Sequence, residues 1–294
     1  MNKAYMLLIA ALLLLVGTSC QPKAEKLLLG GSGWNKIVII DKETKAIEWE
    51  HPMEAGWECN SVAATTDGNI LFSYAKGAKL ITKDHKELWN IPAPEGAEMQ
   101  TAAILADGNF LLAWCGHPAT IMEVSPKGEM LKKVEYETGV EAPHAQFRHV
   151  SKAANGNYLM PIFATSDVRE ISPEGTLVKT IALEGTPFCI VPLANGNSLA
   201  ACGDAHSYVE LDANGAIVRK VSGTDIEGTS LYFVAELLPL ADGSLYVCNW
   251  QGHGGDAAAG TFPQLIEVDK TGKMIWSLND NAAFGMISAI CPVK

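Results

Sequence analysis

The sequence predicts an all-β fold: a six-bladed β-propeller of four-stranded blades, closed by strands from both chain ends. Three observations carry this. First, a turn phrase recurs as Asp67-Gly68-Asn69, Asp107-Gly108-Asn109, Asn155-Gly156-Asn157, Asn195-Gly196-Asn197 and Asp242-Gly243-Ser244, each between two apolar runs. Asp-Gly and Asn-Gly supply the positive φ angles of a tight hairpin, and the spacing of about 40 to 48 residues is that of a four-stranded blade. Second, turn clusters at Asp41 to Thr44, Lys83 to Lys86, Pro126 to Gly128, Pro173 to Gly175, Ala213 to Gly215 and Lys270 to Gly272 follow short β-rich segments, six copies against five of the first phrase. Third, Met286 to Pro292 reads as an innermost strand without a partner and Leu27 to Gly31 as a second strand without a predecessor. Paired, they complete the sixth blade and lock the ring.

Residues 1–19 stand outside this architecture. Lys3 gives a positive start, Leu7 to Val16 an apolar run too short to span a bilayer comfortably, and Gly17-Thr18-Ser19 a small-residue stretch ending at Cys20. The pattern resembles a bacterial lipoprotein signal, which implies lipidation of Cys20; an ordinary secretory signal followed by a coincidental cysteine is the alternative. Both readings export the chain. Surface lipoproteins often carry an acidic run after the cysteine, and Gln21 to Lys26 has none, which favours a periplasm-facing anchor. The division is therefore a signal over 1–19, a short tether over 20–26 and one propeller over 27–294.

The formal charge is −11, one unit more negative once Lys3 leaves with the signal, and charged residues make up 19 % of the chain with no Lys/Arg cluster. This argues against nucleic acid as a partner and against anionic membrane surfaces, leaving membrane contact to the N-terminal lipid; a monomer is expected, though not from charge. Of the seven cysteines, the six beyond Cys20 show no CxxC spacing, so neither a structural zinc cluster nor a thioredoxin-like pair is expected. If Asn195-Gly196 is a two-residue turn, counting outward sets Cys189 opposite Cys202, close enough for a disulfide; a bulge in the turn breaks that register, and buried free thiols are common.

Asp269-Lys270-Thr271-Gly272-Lys273-Met274-Ile275-Trp276 closely resembles the repeat of PQQ-like propellers, and Asp41 to Trp49 is a looser copy with Trp89 at the corresponding place in the next blade. The resemblance implies that Trp49, Trp89 and Trp276 pack between blades. It specifies a scaffold and not a reaction. True quinoproteins of this type generally have eight blades, so PQQ is not expected. His144-Ala145-Gln146-Phe147 resembles a blade opening of arylsulfotransferase-like propellers, within that blade alone.

Blade topology puts both sets of turns on one face and the remaining loops on the other. The second face collects the distinctive residues: Trp57, Glu58 and Asn60; Glu98 and Gln100; His144, Gln146 and Arg148; Asp204 and His206; Trp250, His253 and Asp256; with Trp34, His51, Trp114 and His117. Aromatics beside polar groups on one face point to a ligand site. His144, Gln146 and Arg148 alternate and are read as one side of an innermost strand facing the tunnel, where they would grip an anionic or hydroxyl-rich ligand with Glu58, Asn60 and Gln100 beside them. The competing reading is a satisfied polar network. A ring of carboxylate and amide oxygens would also suit calcium, as in lactonase-type propellers, but no ligand spacing is specific, and no metal is assigned. His117, His206 and His253 occupy comparable loop positions and would form a transition-metal site or supply a general base if they converged. The insertion Asn249 to Phe262, rich in glycine and alanine, reads as a flap over the mouth or as a tolerated insertion.

No nucleophile elbow, P-loop, dinucleotide fingerprint or HExxH is present. The sequence thus points to a non-catalytic cell-envelope lipoprotein that binds a sugar-like or small anionic ligand at His144, Gln146, Arg148, Glu58, Asn60, Gln100, Trp57, Trp250 and His253. The alternatives are an enzyme at the tunnel mouth, a lyase, lactonase or transferase using His144 with Arg148, and a protein-interaction scaffold of the envelope.

Overall fold

Each short apolar run ends at a turn that sends the chain back beside itself, and six antiparallel sheets of four strands result, arranged as a propeller. A computed structural model describes residues 25–253 and 260–293; the signal over 1–19, Cys20 and Asp256 lie outside the described residues. In chain order the strands are β1 (Lys26–Ser32), β2 (Lys36–Asp41) and β3 (Ile47–Pro52); β4 (Val62–Ala64), β5 (Ile70–Tyr74), β6 (Gly77–Ile81) and β7 (Glu87–Pro92); and β8 (Glu98–Ile104), β9 (Phe110–Cys115), β10 (Ala119–Val124) and β11 (Met130–Tyr136). Then follow β12 (Ser151–Lys152), β13 (Tyr158–Ile162), β14 (Asp167–Ile171) and β15 (Leu177–Ala182), and β16 (Ile190–Pro192), β17 (Ser198–Ala201), β18 (Ser207–Leu211) and β19 (Ile217–Ser222). The last blade is β20 (Phe233–Pro239), β21 (Leu245–Trp250), β22 (Leu265–Val268) and β23 (Met274–Leu278), after which β24 (Met286–Val293) returns to the first.

The ring closes as the sequence predicts. The first blade has the order β24-β1-β2-β3, with Lys26 opposite Val293 and Ser32 opposite Met286. The seam is tight: a Cβ on Gly31 would fall 1.9 Å from the Met286 carbonyl oxygen, so only glycine fits. Middle strands are mostly buried, and throughout in Phe110–Cys115 and Ala119–Val124, while outer strands alternate with solvent.

The Asp-Gly and Asn-Gly turns differ in one detail from the expectation. Only the glycine is at positive φ, for example Gly196 at 87°, and Leu193 N–H bonds the Asn197 carbonyl at 2.8 Å. These are three-residue loops with a glycine bulge, not two-residue turns. The extra residue shifts the register so that Ile190 faces Ala200, and Cys189 therefore faces Ala201 and not Cys202. All six cysteines among the described residues are free, the outcome of the bulged register rather than of the two-residue turn.

Trp49, Trp89 and Trp276 do span blade boundaries: their indole N–H groups donate to the carbonyls of Lys83 (2.8 Å), Pro126 (3.2 Å) and Lys42 (2.9 Å) in adjoining outer turns. All three are half-buried. Replacing any one with alanine is expected to cost about 2 kcal/mol in denaturant titration, below the range for a fully buried tryptophan. Unchanged stability with lost ligand binding would give them a functional role instead.

Three innermost strands carry bulges, and each turns a polar side chain toward the axis. Gln100 is the extra residue of β8, Ser288 of β24, and Glu236 lies in the irregular stretch of β20 between Val234 and Leu237. Such bulges re-aim side chains beside functional sites.

Candidate functional site

On the face opposite the turns, a narrow cleft of about 50 Å³ opens at the propeller axis, lined by Ser32, Glu58, Asn60, His144, Arg148, Phe163, Phe188, Phe233, Trp250 and His253. Wider clefts of about 530 Å³ (Lys45 to Asp280) and about 340 Å³ (Pro94 to Glu135) lie on the flanks, each between two neighbouring blades. Of these three clefts, the axial one alone gathers ionisable and aromatic groups from several blades among the described residues.

Its polar side is built from a turn rather than a strand. Pro143 begins a 3-10 helix over Pro143–Ala145, and the innermost strand of this blade is only Ser151–Lys152. The expected alternation of His144, Gln146 and Arg148 along a strand is therefore corrected. His144 is exposed at the mouth, whereas Gln146 is fully buried and bonds Gly116 N–H (2.9 Å) and the carbonyls of Gly116 and Val140 (both 3.0 Å). Arg148 is also buried, with its guanidinium 4.7 Å from the Phe163 ring centre. Its Nη1 donates to the carbonyls of His144 (3.0 Å) and Phe147 (2.9 Å), and Nη2 to His144 Nε2 (2.9 Å).

That last contact fixes the His144 tautomer. Because Nε2 accepts from Arg148, Nδ1 carries the proton and donates to Glu98 Oε2 at 2.8 Å. The hydrogen bond with His144 is the main reason the Glu98 carboxyl is held below the usual carboxylate range. Gln100 donates to the same oxygen (3.1 Å) and accepts from Asn60 (2.8 Å); Asn60 also donates weakly to Glu58 (3.4 Å) and accepts from Ser288 (3.1 Å). Gln100 is thus a buried link between two mouth residues. Trp57 does not line the cleft; it stacks on Tyr74 at 4.0 Å.

Across the cleft a second histidine–carboxylate pair appears. His253 Nδ1 meets Asp204 Oδ1 at 2.9 Å, and Thr186 donates its hydroxyl to the other Asp204 oxygen. The His253 ring is edge-on to Phe233 and Trp250, 5.0 Å from each, and Trp250 Nε1 donates to Ser32 Oγ at 2.9 Å. His206 does not join it, bonding the Tyr232 carbonyl, and His117 bonds the Glu141 carbonyl at 2.7 Å in the flanking cleft. Among the described residues no three His, Cys, Asp or Glu side chains come together in a way that would hold a metal ion.

Below the mouth lie two groups that sequence reasoning missed, His149 and Glu236, whose side chains are 12 % and 17 % exposed and 3.8 Å apart. Burial, and then Arg148, push His149 down to about 3; burial pushes Glu236 up to about 8 despite the hydrogen bond it accepts from Ile290 N–H (2.6 Å). The phenylalanine wall was also missed, because Phe163, Phe188 and Phe233 read as ordinary core residues.

The family model described as Mal s 1 allergenic protein-like matches residues 28–273. A protein of unknown function from Bacteroides caccae is 61 % identical, with TM-score 0.90, over 92 % of this chain and 100 % of that one. A propeller in a nidogen/laminin complex is 11 % identical, with TM-score 0.66, over 92 % and 98 %. A catalytically inactive virginiamycin B lyase variant from Staphylococcus aureus with quinupristin is 12 % identical, with TM-score 0.59, over 90 % and 88 %. These last two share the fold alone. None of the curated proteins matches the chain.

Proposed function

The chain belongs to the Mal s 1 allergenic protein-like family, and within it we propose a non-catalytic binding protein of the cell envelope, lipid-anchored at Cys20, whose axial cleft takes the polar end of a neutral, hydroxyl-rich, sugar-like ligand. The observation that carries this reading is the composition of the cleft. Carboxylate, amide and imidazole groups from different blades face one opening, walled by Phe163, Phe188, Phe233 and Trp250. Rings stack on the apolar faces of sugars while carboxylates and amides orient hydroxyls. A neutral ligand fits better than an anion because Arg148 already spends Nη1 and Nη2 on His144 and Phe147, and two carboxylates, Glu58 and Glu98, already act on its charge, while Asp204 is paired with His253 across the cleft.

A thermal-shift screen of neutral sugars, uronates and aryl sulfates tests this. Neutral sugars are expected to raise the melting temperature. Trp250→Ala should then weaken binding by about thirtyfold, as for a stacking anchor worth about 2 kcal/mol, and His144→Ala by about tenfold. Hits confined to uronates and sulfates would replace the neutral ligand with an anionic one, and hits untouched by both substitutions would move the site.

A second reading is favoured by one feature, the two histidine–carboxylate pairs that face each other. Asp204 on His253 Nδ1 leaves Nε2 without a partner among the described residues, the arrangement of an oriented general base. The likeness to a lyase fold is consistent with it. Turnover of a bound ligand that is lost on His253→Ala and Asp204→Asn, with binding kept, would make the protein an enzyme.

A further inference from the structure

The outer hairpin of every blade has a bulge at the same place, and the extra residue is Glu48, Leu88, Leu131, Val178, Val218 or Ile275. Five of the six are large and apolar, and these five are 44–56 % exposed. Met130, Leu177 and Ile217, one position earlier, are exposed as well. Indeed, every large apolar side chain exposed among the described residues lies at a strand end on the turn face, and none lies on the mouth face. Scattered exposed apolar residues need no explanation. A device repeated around a ring does, since a bulge that merely blunts an edge strand is served better by lysine.

The same face receives the chain from its N-terminal side. Glu25 is held there, its carbonyl accepting from Lys42 N–H (2.9 Å) and its carboxylate pairing with Lys42 Nζ (2.8 Å) in the outer turn of the first blade. Between Cys20 and Glu25 the sequence provides a reach of at most roughly 20 Å. The sixth bulge residue, Glu48, pairs with Lys26 at this entry point.

We propose that the turn face rests on a lipid bilayer: the ring of bulged Leu, Val and Ile side chains dips into the interfacial region, and the axial cleft faces away from the membrane. The occupant is a lipid surface because a short tether leaves from this rim; the turns carry exposed lysines (Lys83, Lys127) beside exposed carboxylates (Asp84, Glu129), so the contact rests on the apolar ring against a surface of low net charge, the lysine stems following the apolar side chains while their charges stay among headgroups. This rests on the lipoprotein reading for the tether but not for the ring, and the two are separable.

The test uses the full chain purified from bacterial membranes, in a Cys291→Ser background, with an environment-sensitive dye on Val218→Cys or, as control, on Glu141→Cys of the mouth face. The protein is mixed with zwitterionic phosphatidylethanolamine/phosphatidylcholine vesicles containing a doxyl-labelled lipid, in keeping with the acidic net charge. A dye seated roughly 5–10 Å into the interface at position 218 is expected to shift to the blue and lose most of its emission, while the dye at 141 is unchanged. Mass spectrometry of Cys20 reports the anchor separately. Quenching at 218 that persists in a Cys20→Ser chain, which carries neither lipid nor a second thiol for the dye, supports the surface and removes the anchor. A lipidated chain with no quenching at 218, or equal quenching at both positions, overturns the proposal. So does a dimer in solution that Val218→Lys dissociates, which would make a second copy the occupant.

Discussion

Removing Met286 to Lys294 is expected to abolish cooperative unfolding. The strand β24 is the innermost of its blade and packs against β4 and β20 of both neighbours, with Ile287, Ala289 and Ile290 at most 2 % exposed. It also holds the axis together: Ser288 donates to Asn60, and Ile290 N–H donates to Glu236. Without it the edge of β1 is left open and the apolar faces of two blades meet water. Calorimetry of the truncated chain should show no single transition, and the same sharp melting as the intact protein would refute closure by the chain ends. A gentler probe keeps the whole chain. Gly31→Ala forces a methyl group against the Met286 carbonyl and should lower stability by about 3 kcal/mol.

The second large effect is on pH dependence. Glu236 holds its proton up to about pH 8 in the folded protein, against an ordinary value of 4.5, so stability is fully present below 4.5 and is lost as pH rises toward 8. His149 binds its proton only below about 3 when folded, against 6.5 ordinarily, so its contribution rises with pH between those values. The two slopes oppose each other from 4.5 to 6.5. Their joint contribution therefore climbs from about pH 3, runs level, and falls between 6.5 and 8 by about 2 kcal/mol, at about 1.4 kcal/mol per unit. The thiols of Cys59, Cys189 and Cys248 facing Glu236 are pushed far up by burial and stay neutral across this range. Glu236→Gln keeps an acceptor for Ile290 and should remove the alkaline fall. Denaturant titrations from pH 5 to 9 check this; an identical fall in the variant would assign it to another group.

The turn glycines made the blades legible, because a positive φ is a local demand that local sequence must meet. The closure was legible for the same reason, as a turn phrase missing from one blade. Register was less so: whether Asn195-Gly196 sits in a two- or three-residue loop depends on the φ of one non-glycine residue, and that single residue moved Cys189 away from Cys202. The mouth was legible as a face, since topology alone sends loops to one side. Its inner construction was not. Pro143 turned an expected strand into a 3-10 helix, hiding Gln146 and committing Arg148 to His144. The bulges that deliver Gln100, Glu236 and Ser288 to the axis leave no mark in sequence, because the extra residue obeys no local rule.

The measurement that bears most directly on the binding site is a crystal structure with the tightest ligand from the neutral-sugar screen. It should show the ligand at the axial cleft, its ring on Trp250 or the phenylalanine wall and its hydroxyls within hydrogen-bond reach of Glu58, Asn60 or His144. A ligand seated in either flanking cleft, or on the turn face with the axial cleft untouched, would contradict the account.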